Sequence, residues 1–239
     1  MNASSQYLQA WEGFWGDAPT GEGEVFWDSD PTLTVQSHLA SFEEHFDAGL
    51  PVVDLGCGNG TQTRFLAGRY APVLGVDLSA AAIGLARAAD EKSVAAYRQL
   101  DAADADTMHA LHEELGDAHI YMRGVLHQCA PEDRARIAAN IAGLLGTRGR
   151  IFAVEPAQAV KEVLMSLVQD PGGAPPKLVA VISHGLAPAE MADSELPELM
   201  RECGLRVIGE GQLPLATTEF DRRDGARIEL PSNWVVAGR

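Results

Sequence analysis

The chain reads as an α/β protein with a mostly parallel, doubly wound sheet and helices on both faces. Two observations predict it. Short apolar runs of strand character alternate with segments of helical periodicity, the grammar of a parallel sheet covered by its crossover helices. The first such run, Val52-Val53-Asp54-Leu55, ends in an acid and a leucine and passes directly into Gly56-Cys57-Gly58-Asn59-Gly60, three glycines at alternate positions. Glycine has no Cβ and tolerates positive φ, so this turn can be tight and its main chain can come against a ligand before the helix from Thr61 to about Arg69 begins. Strand, glycine loop and helix in that order make a nucleotide-binding unit.

The other elements follow in sequence. Val73 to Asp77 is a second buried strand ending in an acid, and Ser79 caps a helix rich in Ala, Leu and Ile that runs to about Lys92. Tyr97 to Ala102 is a third strand, and Asp104 or Asp106 opens a helix to about Leu115. His119 to Arg123 is a fourth strand, leading into Gly124-Val125-Leu126-His127-Gln128. Pro131 suits the first turn of the next helix, where Ile137, Ile141, Leu144 and Leu145 recur at helical spacing and Gly146 marks the stop. Arg150 to Val154 is a fifth strand, ending at Glu155-Pro156, and a helix runs from there to about Val168. The run Pro171-Gly172-Gly173-Ala174-Pro175-Pro176 then breaks the grammar, so residues 157–190 read as a cap near the active site within one domain over 49–239. Leu205 to Gln212 and Ile228 to Ala237 are strand-like and joined by a polar turn. Residues 1–48 lie outside the grammar and read as a helical, aromatic lid segment.

The glycine spacing narrows the ligand. A dinucleotide fingerprint needs G-x-G-x-x-G, and Thr61 or Thr63 stands where the third glycine is required, so a nicotinamide dehydrogenase loses on register. A fixed carboxylate at Asp54 argues the same way: desolvated, it repels a pyrophosphate and suits an ammonium or sulfonium group. On these residues the chain resembles the class I S-adenosylmethionine-dependent methyltransferases of small-molecule type, with Asp54-Leu55-Gly56-Cys57-Gly58-Asn59-Gly60 similar to their first motif. The resemblance covers roughly residues 50–239. It implies a Rossmann-like, seven-stranded sheet with an antiparallel last strand, and S-adenosyl-L-methionine as cofactor with S-adenosyl-L-homocysteine as product. Asp77 lies nineteen residues after Gly58, close to the roughly 20 at which a ribose-binding carboxylate sits in such folds, and with Leu78 it takes that place. Asp101 and Ala102 take the place of the adenine contacts, and Arg123 stands at the segment that runs under the methionine part.

Composition bounds the rest. The 239 residues, 46% of them apolar, suffice for a proper core. No basic-plus-apolar leader or span of roughly 20 apolar residues is present, so a cytoplasmic protein with no membrane partner is expected. Three widely spaced cysteines without a C-x-x-C pair suggest neither a disulfide framework nor a zinc site. His109 and His112 beside Glu113 do not follow the zincin order, so no metal is expected. The net charge of −16, without a run of Lys or Arg, excludes nucleic acid as an expected partner. No Lys or Arg precedes Arg64 while ten acids do; that segment fits either a solvated acidic face or attraction of a cationic substrate.

The acceptor end falls to the N-terminal segment and the cap. The first carries Tyr7, Trp11, Phe14, Trp15, Phe26 and Trp27 in a chain that is only 6% aromatic. Aromatic faces attract cations, so Trp15 and its neighbours suit shielding of a sulfonium or holding an amine; Trp11 and Trp15, four apart, equally suit the apolar stripe of a helix. A general base is required only if the nucleophile must lose a proton, and His127 and His184 are the candidates, with Glu155 placed to orient a substrate hydroxyl or amine or to cap a helix. The expected activity is methyl transfer to a small-molecule acceptor, neutral or cationic, at O, N or C, plausibly in specialised metabolite biosynthesis. The alternatives are other sulfonium chemistry on the same fold, aminopropyl transfer or cyclisation with release of methylthioadenosine, and a non-catalytic binding protein.

Overall fold

A computed structural model describes residues 3–186 and 189–239; Met1 and Asn2 of the lid segment and Ala187 and Pro188 of the cap lie outside the described residues. The chain opens with α1 (Ala3–Asp17) and α2 (Val35–Phe42) and then alternates: β1 (Val52–Leu55), α3 (Thr61–Ala67), β2 (Val73–Asp77), α4 (Ala80–Ala89), β3 (Ala96–Gln99), α5 (Ala105–Leu115), β4 (His119–Arg123), α6 (Pro131–Leu145) and β5 (Arg150–Pro156). Then come α7 (Val160–Val168), α8 (Pro176–Ser183) and α9 (Glu195–Glu202), before the hairpin of β6 (Arg206–Phe220) and β7 (Arg227–Gly238).

The seven strands form one sheet in the order β3-β2-β1-β4-β5-β7-β6. The first five are parallel neighbours, and β7 inserts antiparallel between β5 and β6. β1 sits centrally, pairing Val52 with both Val73 and His119, and its four residues are all buried. This is why it reads as a continuous apolar run and not as an alternating one. One face packs Val53, Ile120, Ile151 and Ala153 against α6 and α9, the other packs Val52, Tyr121, Phe152 and Val154 with Phe42 and Phe46. Strand order reverses between β1 and β4, and the crevice outside the carboxyl ends of such strands is where this architecture binds ligands.

Local chemistry sets the boundaries. Ser79 Oγ accepts from the Ala82 N–H and Asp104 accepts from Asp106 and Thr107, as the sequence predicts for two N-caps. α4 ends at Ala89, short of Lys92, because the Asp90 carboxylate takes the N–H groups of Val94 and Ala95 and turns the chain into β3. α9 has no counterpart in the sequence reading: Pro197 in its first turn masks an apolar stripe of Leu196, Leu199 and Met200. The final hairpin is also longer than predicted. Pro214 faces Pro231 across the pair, and the polar run beyond them continues as strand, with only residues 221–226 left as the turn. The extension has a purpose in packing: Thr218 N–H donates to Phe26 O at 2.9 Å and Ser29 Oγ donates to Ala216 O at 2.8 Å, tying the N-terminal segment to the hairpin. Phe14, Trp15, Val25 and Phe26 then share one apolar cluster with Leu167 of α7, Leu178 and Val181 of α8, and Leu186.

Candidate functional site

At the carboxyl ends of β1, β2 and β4 lies a cavity of about 840 Å³. Its floor is the glycine loop. Gly56, Gly58 and Gly60 all have positive φ, at 78°, 54° and 76°. All three also need to lack a Cβ for contact reasons: one on Gly56 would meet Val125 Cγ2 at 2.4 Å, one on Gly58 would meet Trp15 Cζ2 at 2.8 Å, and one on Gly60 would meet Tyr97 Cε1 at 2.8 Å. The indole of Trp15, only 4% exposed, therefore rests directly on the loop.

Asp77 closes that loop from the next strand. Its Oδ2 accepts from Gly58 N–H and its Oδ1 from Ser79 N–H, both at 2.9 Å. Each carboxylate oxygen keeps a further lone pair, and the residue lines the cavity. Burial raises its pKa, against the lowering effect of those two N–H groups, and Glu12 nearby adds to the rise. Leu78, Leu100, Asp101 and Ala102 continue the wall, with Asp101 turned by a bond from Ala103 N–H and Ala102 held through its carbonyl by Asn140. Arg123 lines the cavity from the end of β4, its guanidinium donating to Trp27 O at 3.0 Å. Asn59 donates to the buried Asp28 at 2.7 Å, which also accepts from Gly23 N–H, so the N-terminal segment is fastened to the glycine loop.

Of the residues singled out from sequence, Gly56, Cys57, Gly58, Asn59, Asp77, Leu78, Asp101, Ala102, Arg123, Trp15 and His127 thus converge on one cavity. Four do not line it. Asp54 lies beneath the loop, 3% exposed, accepting from Thr63 Oγ1 at 2.6 Å. Burial pushes its carboxyl up to about 6, with Thr63 and Arg123 opposing the rise, so it is not the fixed charge at the loop mouth that the sequence suggested. Gly60 is the N-cap of α3, backed by Tyr97 and Ala86. His184 is held outside by Ala180 O, by Asp17 at 3.1 Å and by the edge of Phe14. Its candidacy as a base is corrected: it fastens α8 to α1.

Glu155 is also corrected. Buried at the end of β5, it accepts main-chain N–H groups of Val125, Leu126 and His127 and the Nδ1 of His127 at 2.8 Å. It caps the turn after β4 and orients His127; it does not reach the cavity. With Nδ1 donating to the carboxylate, the lone pair on His127 Nε2 faces the Gln128 amide at 2.5 Å. The ring lines the cavity with Nδ1 held by Glu155 and Nε2 against the Gln128 amide.

Sequence reasoning missed Asp28, Gln62 and the apolar cap wall. Gln62 accepts from Thr34 Oγ1 at 2.6 Å and donates to Ser29 O, joining α3 to the N-terminal segment. A glutamine just after a glycine loop carries no signal of that contact, whereas Asp28 next to Trp27 was visible as an acid among aromatics. The acids ahead of Arg64 are mostly engaged with the domain: Glu12 accepts from Ser79 Oγ and Ala81 N–H at the start of α4, and Glu22 pairs with Arg64.

The comparisons with known proteins agree with this geometry. A family model described as a methyltransferase domain matches residues 52–149. The fold matches the crystal structure of a methyltransferase from Anabaena variabilis that depends on S-adenosylmethionine, with a TM-score of 0.88, 27% identity, and coverage of 100% of this chain and 96% of that one. It also matches magnesium protoporphyrin IX methyltransferase from Synechocystis, solved with bound S-adenosylhomocysteine, at a TM-score of 0.57, 19% identity, and 99% and 95% coverage. A third neighbour comes from work on conversion of a disulfide bond into a thioacetal group in echinomycin biosynthesis, at a TM-score of 0.68, 17% identity, and 99% and 92% coverage. No protein of curated function matches the chain. Residues 52–149 thus match a methyltransferase domain, and over its whole length the chain shares the fold of an S-adenosylmethionine-dependent methyltransferase.

Two predictions follow from the buried carboxylates. A folded pKa of about 6 against an ordinary 3.8 means that Asp54 contributes stability in full below about pH 4 and loses it as pH rises through 6. Asp54→Asn, which keeps an acceptor for Thr63, should therefore raise the melting temperature at pH 7.5 by the equivalent of up to ~3 kcal/mol, with the gain shrinking at pH 5. Scanning calorimetry at the two pH values checks this. Glu155→Ala strands three buried N–H groups, each worth about 1–3 kcal/mol when unsatisfied, and should lower the urea midpoint more than Glu155→Gln does.

Proposed function

We propose that the protein transfers a methyl group from S-adenosylmethionine to a small-molecule acceptor, in the cytoplasm and in specialised metabolite biosynthesis. The observation that carries this reading is the Asp77 carboxylate, fastened to Gly58 N–H at the rim of the cavity with lone pairs to spare, under the cover of Trp15. Those lone pairs suit the two ribose hydroxyls, and Asp101 with Ala102 suits the adenine edge. Arg123, which makes no ion pair among the described residues, suits the methionine carboxylate. The glycine floor admits a ligand close to the main chain, and the indole above it excludes water and presents a π face to a sulfonium.

When bound, S-adenosylmethionine supplies an electrophilic methyl group that a nucleophile displaces in line. The chain's own part is to hold the acceptor opposite that methyl and keep water out, contributions that can account for much of a rate without a charged base. The engaged nitrogens of His127 support a nucleophile that reacts without surrendering a proton to the wall. An acceptor of small size is supported by a cavity of about 840 Å³ that the cofactor would share. The pairing of surface arginines with acids, as in Arg98–Glu114 and Arg148–Asp47, argues against a phosphate-rich partner. No helix among the described residues is long and apolar enough to cross a membrane.

Isothermal titration calorimetry tests the cofactor assignment. S-adenosylhomocysteine should bind the wild type with micromolar affinity, Asp77→Ala should weaken it about tenfold or more (~1.4 kcal/mol), and NAD should not bind. Turnover should release S-adenosylhomocysteine; methylthioadenosine as the product would replace methyl transfer with other sulfonium chemistry, and absence of S-adenosylhomocysteine binding would refute the reading.

A further inference from the structure

The cavity continues past the nucleotide end into a second chamber between the N-terminal segment, the cap helices and the final hairpin. Its walls are Trp11, Trp27, Leu164, Val181, Leu186 and Leu230. Trp11 and Trp27 meet edge to face at 5.4 Å, and Phe14 braces both, at 5.9 Å and 5.1 Å, so the aromatic wall is fixed. Two polar groups that line the cavity are engaged elsewhere, Tyr7 OH accepting from Ala130 N–H at 2.6 Å and Thr217 Oγ1 donating to Ile228 O at 2.8 Å, whereas Asp133 lines it with one buried carboxylate oxygen unpartnered. The charged residues lining it, Lys161, Glu162 and Glu190, are exposed, and Lys161 pairs with Glu190 at 2.6 Å.

The rim is apolar as well. Met165 and Val168 of α7 and Ile182 of α8 line the cavity yet stay 50%, 49% and 47% exposed. Half-exposed apolar side chains at the edge of an apolar chamber offer area that a ligand longer than the chamber would cover. An ionic acceptor would lose its hydration here against walls that return almost no hydrogen bonds. Arg123, tied to Trp27 O, and the buried Asp28, tied through Oδ2 to Asn59 of the glycine loop, are the charged exceptions, and both belong to the nucleotide end.

Resting on the methyltransferase reading above, we infer that the acceptor is an uncharged, largely apolar molecule. Its ring or chain is gripped between α7, α8 and the Trp11–Trp27 wall, and it extends outward across Met165, Val168 and Ile182. Such an acceptor presents its nucleophile as a neutral lone pair: as its bond to the methyl carbon forms the S–CH3 bond breaks, S-adenosylhomocysteine leaves neutral, and the positive charge passes to the methylated acceptor, which sheds any proton it carries to water at the open rim.

Two dyes that differ by one sulfonate test this. N-phenyl-1-naphthylamine is neutral, and 8-anilinonaphthalene-1-sulfonate is the same ring system carrying an anion. With S-adenosylhomocysteine saturating the nucleotide end, the neutral dye should bind one to one and about tenfold more tightly than the sulfonate. Leu164→Asp in the wall and Ile182→Asp on the exposed rim should each weaken it roughly fivefold while the affinity for S-adenosylhomocysteine is unchanged. Equal or tighter binding of the sulfonate, no binding of the neutral dye, or binding indifferent to both variants would overturn the inference. The same titrations without S-adenosylhomocysteine read the chamber alone, so failure of the cofactor assignment and failure of this inference give different results.

Discussion

The bond from Gly58 N–H to the Asp77 carboxylate is the contact on which the site depends. It joins the ends of β1 and β2, holds the glycine loop at its positive φ values and leaves the outer face of the carboxylate toward the cavity. With no Cβ on Gly58, the Trp15 indole can descend onto the loop, and with it comes the whole N-terminal segment. Asn59 to Asp28, Gln62 to Ser29 and Ser79 to Glu12 then fasten that segment at three further points. The cleft is thus roofed by a part of the chain that contributes no strand to the sheet.

Buried carboxylates recur as the fastening device. Asp77 holds a loop, Glu155 gathers three main-chain N–H groups and a histidine, and Asp54 braces Thr63 beneath the floor. A carboxylate that accepts several N–H bonds is strongly held, whereas Asp54, with one hydroxyl partner, is driven toward its neutral form by burial. The excess of acid in this chain therefore divides between internal tethers and ordinary surface charge. The wall formed by Trp11, Trp27, Leu164, Val181, Leu186 and Leu230 is mainly apolar, with Lys161 and Glu190 paired at its exposed edge.

The centre of the sheet was legible because β1, β2, β4 and β5 are short and largely buried, so each stands out as an apolar run between a turn and a helix. The glycine loop and Asp77 were legible for a related reason: positive φ and a strand-end acid restrict residue type at fixed spacing. Glu155 and His184 were misread because a carboxylate or imidazole has the same appearance in sequence whether it faces substrate or a neighbouring N–H. Asp54 was placed at the loop mouth because strand ends point there, yet the side chain falls on the α3 face of the sheet, opposite Thr63. The extension of β6 past Gln212 and the helix α9 went unread because Pro214 and Pro197 suggest breaks, although the N–H that proline lacks is not needed where they fall. Cap contacts such as Leu164 and Ile182 depend on how two helices fold back over the sheet, and no local pattern encodes that.

A crystal structure of the protein with S-adenosylhomocysteine tests the account most directly. The ribose hydroxyls should lie within hydrogen-bond distance of both Asp77 oxygens, the thioether beneath Trp15, and the second chamber should stay open beside the sulfur. A ligand lodged elsewhere, or one that displaces Trp15 and breaks the Gly58–Asp77 bond, would contradict it.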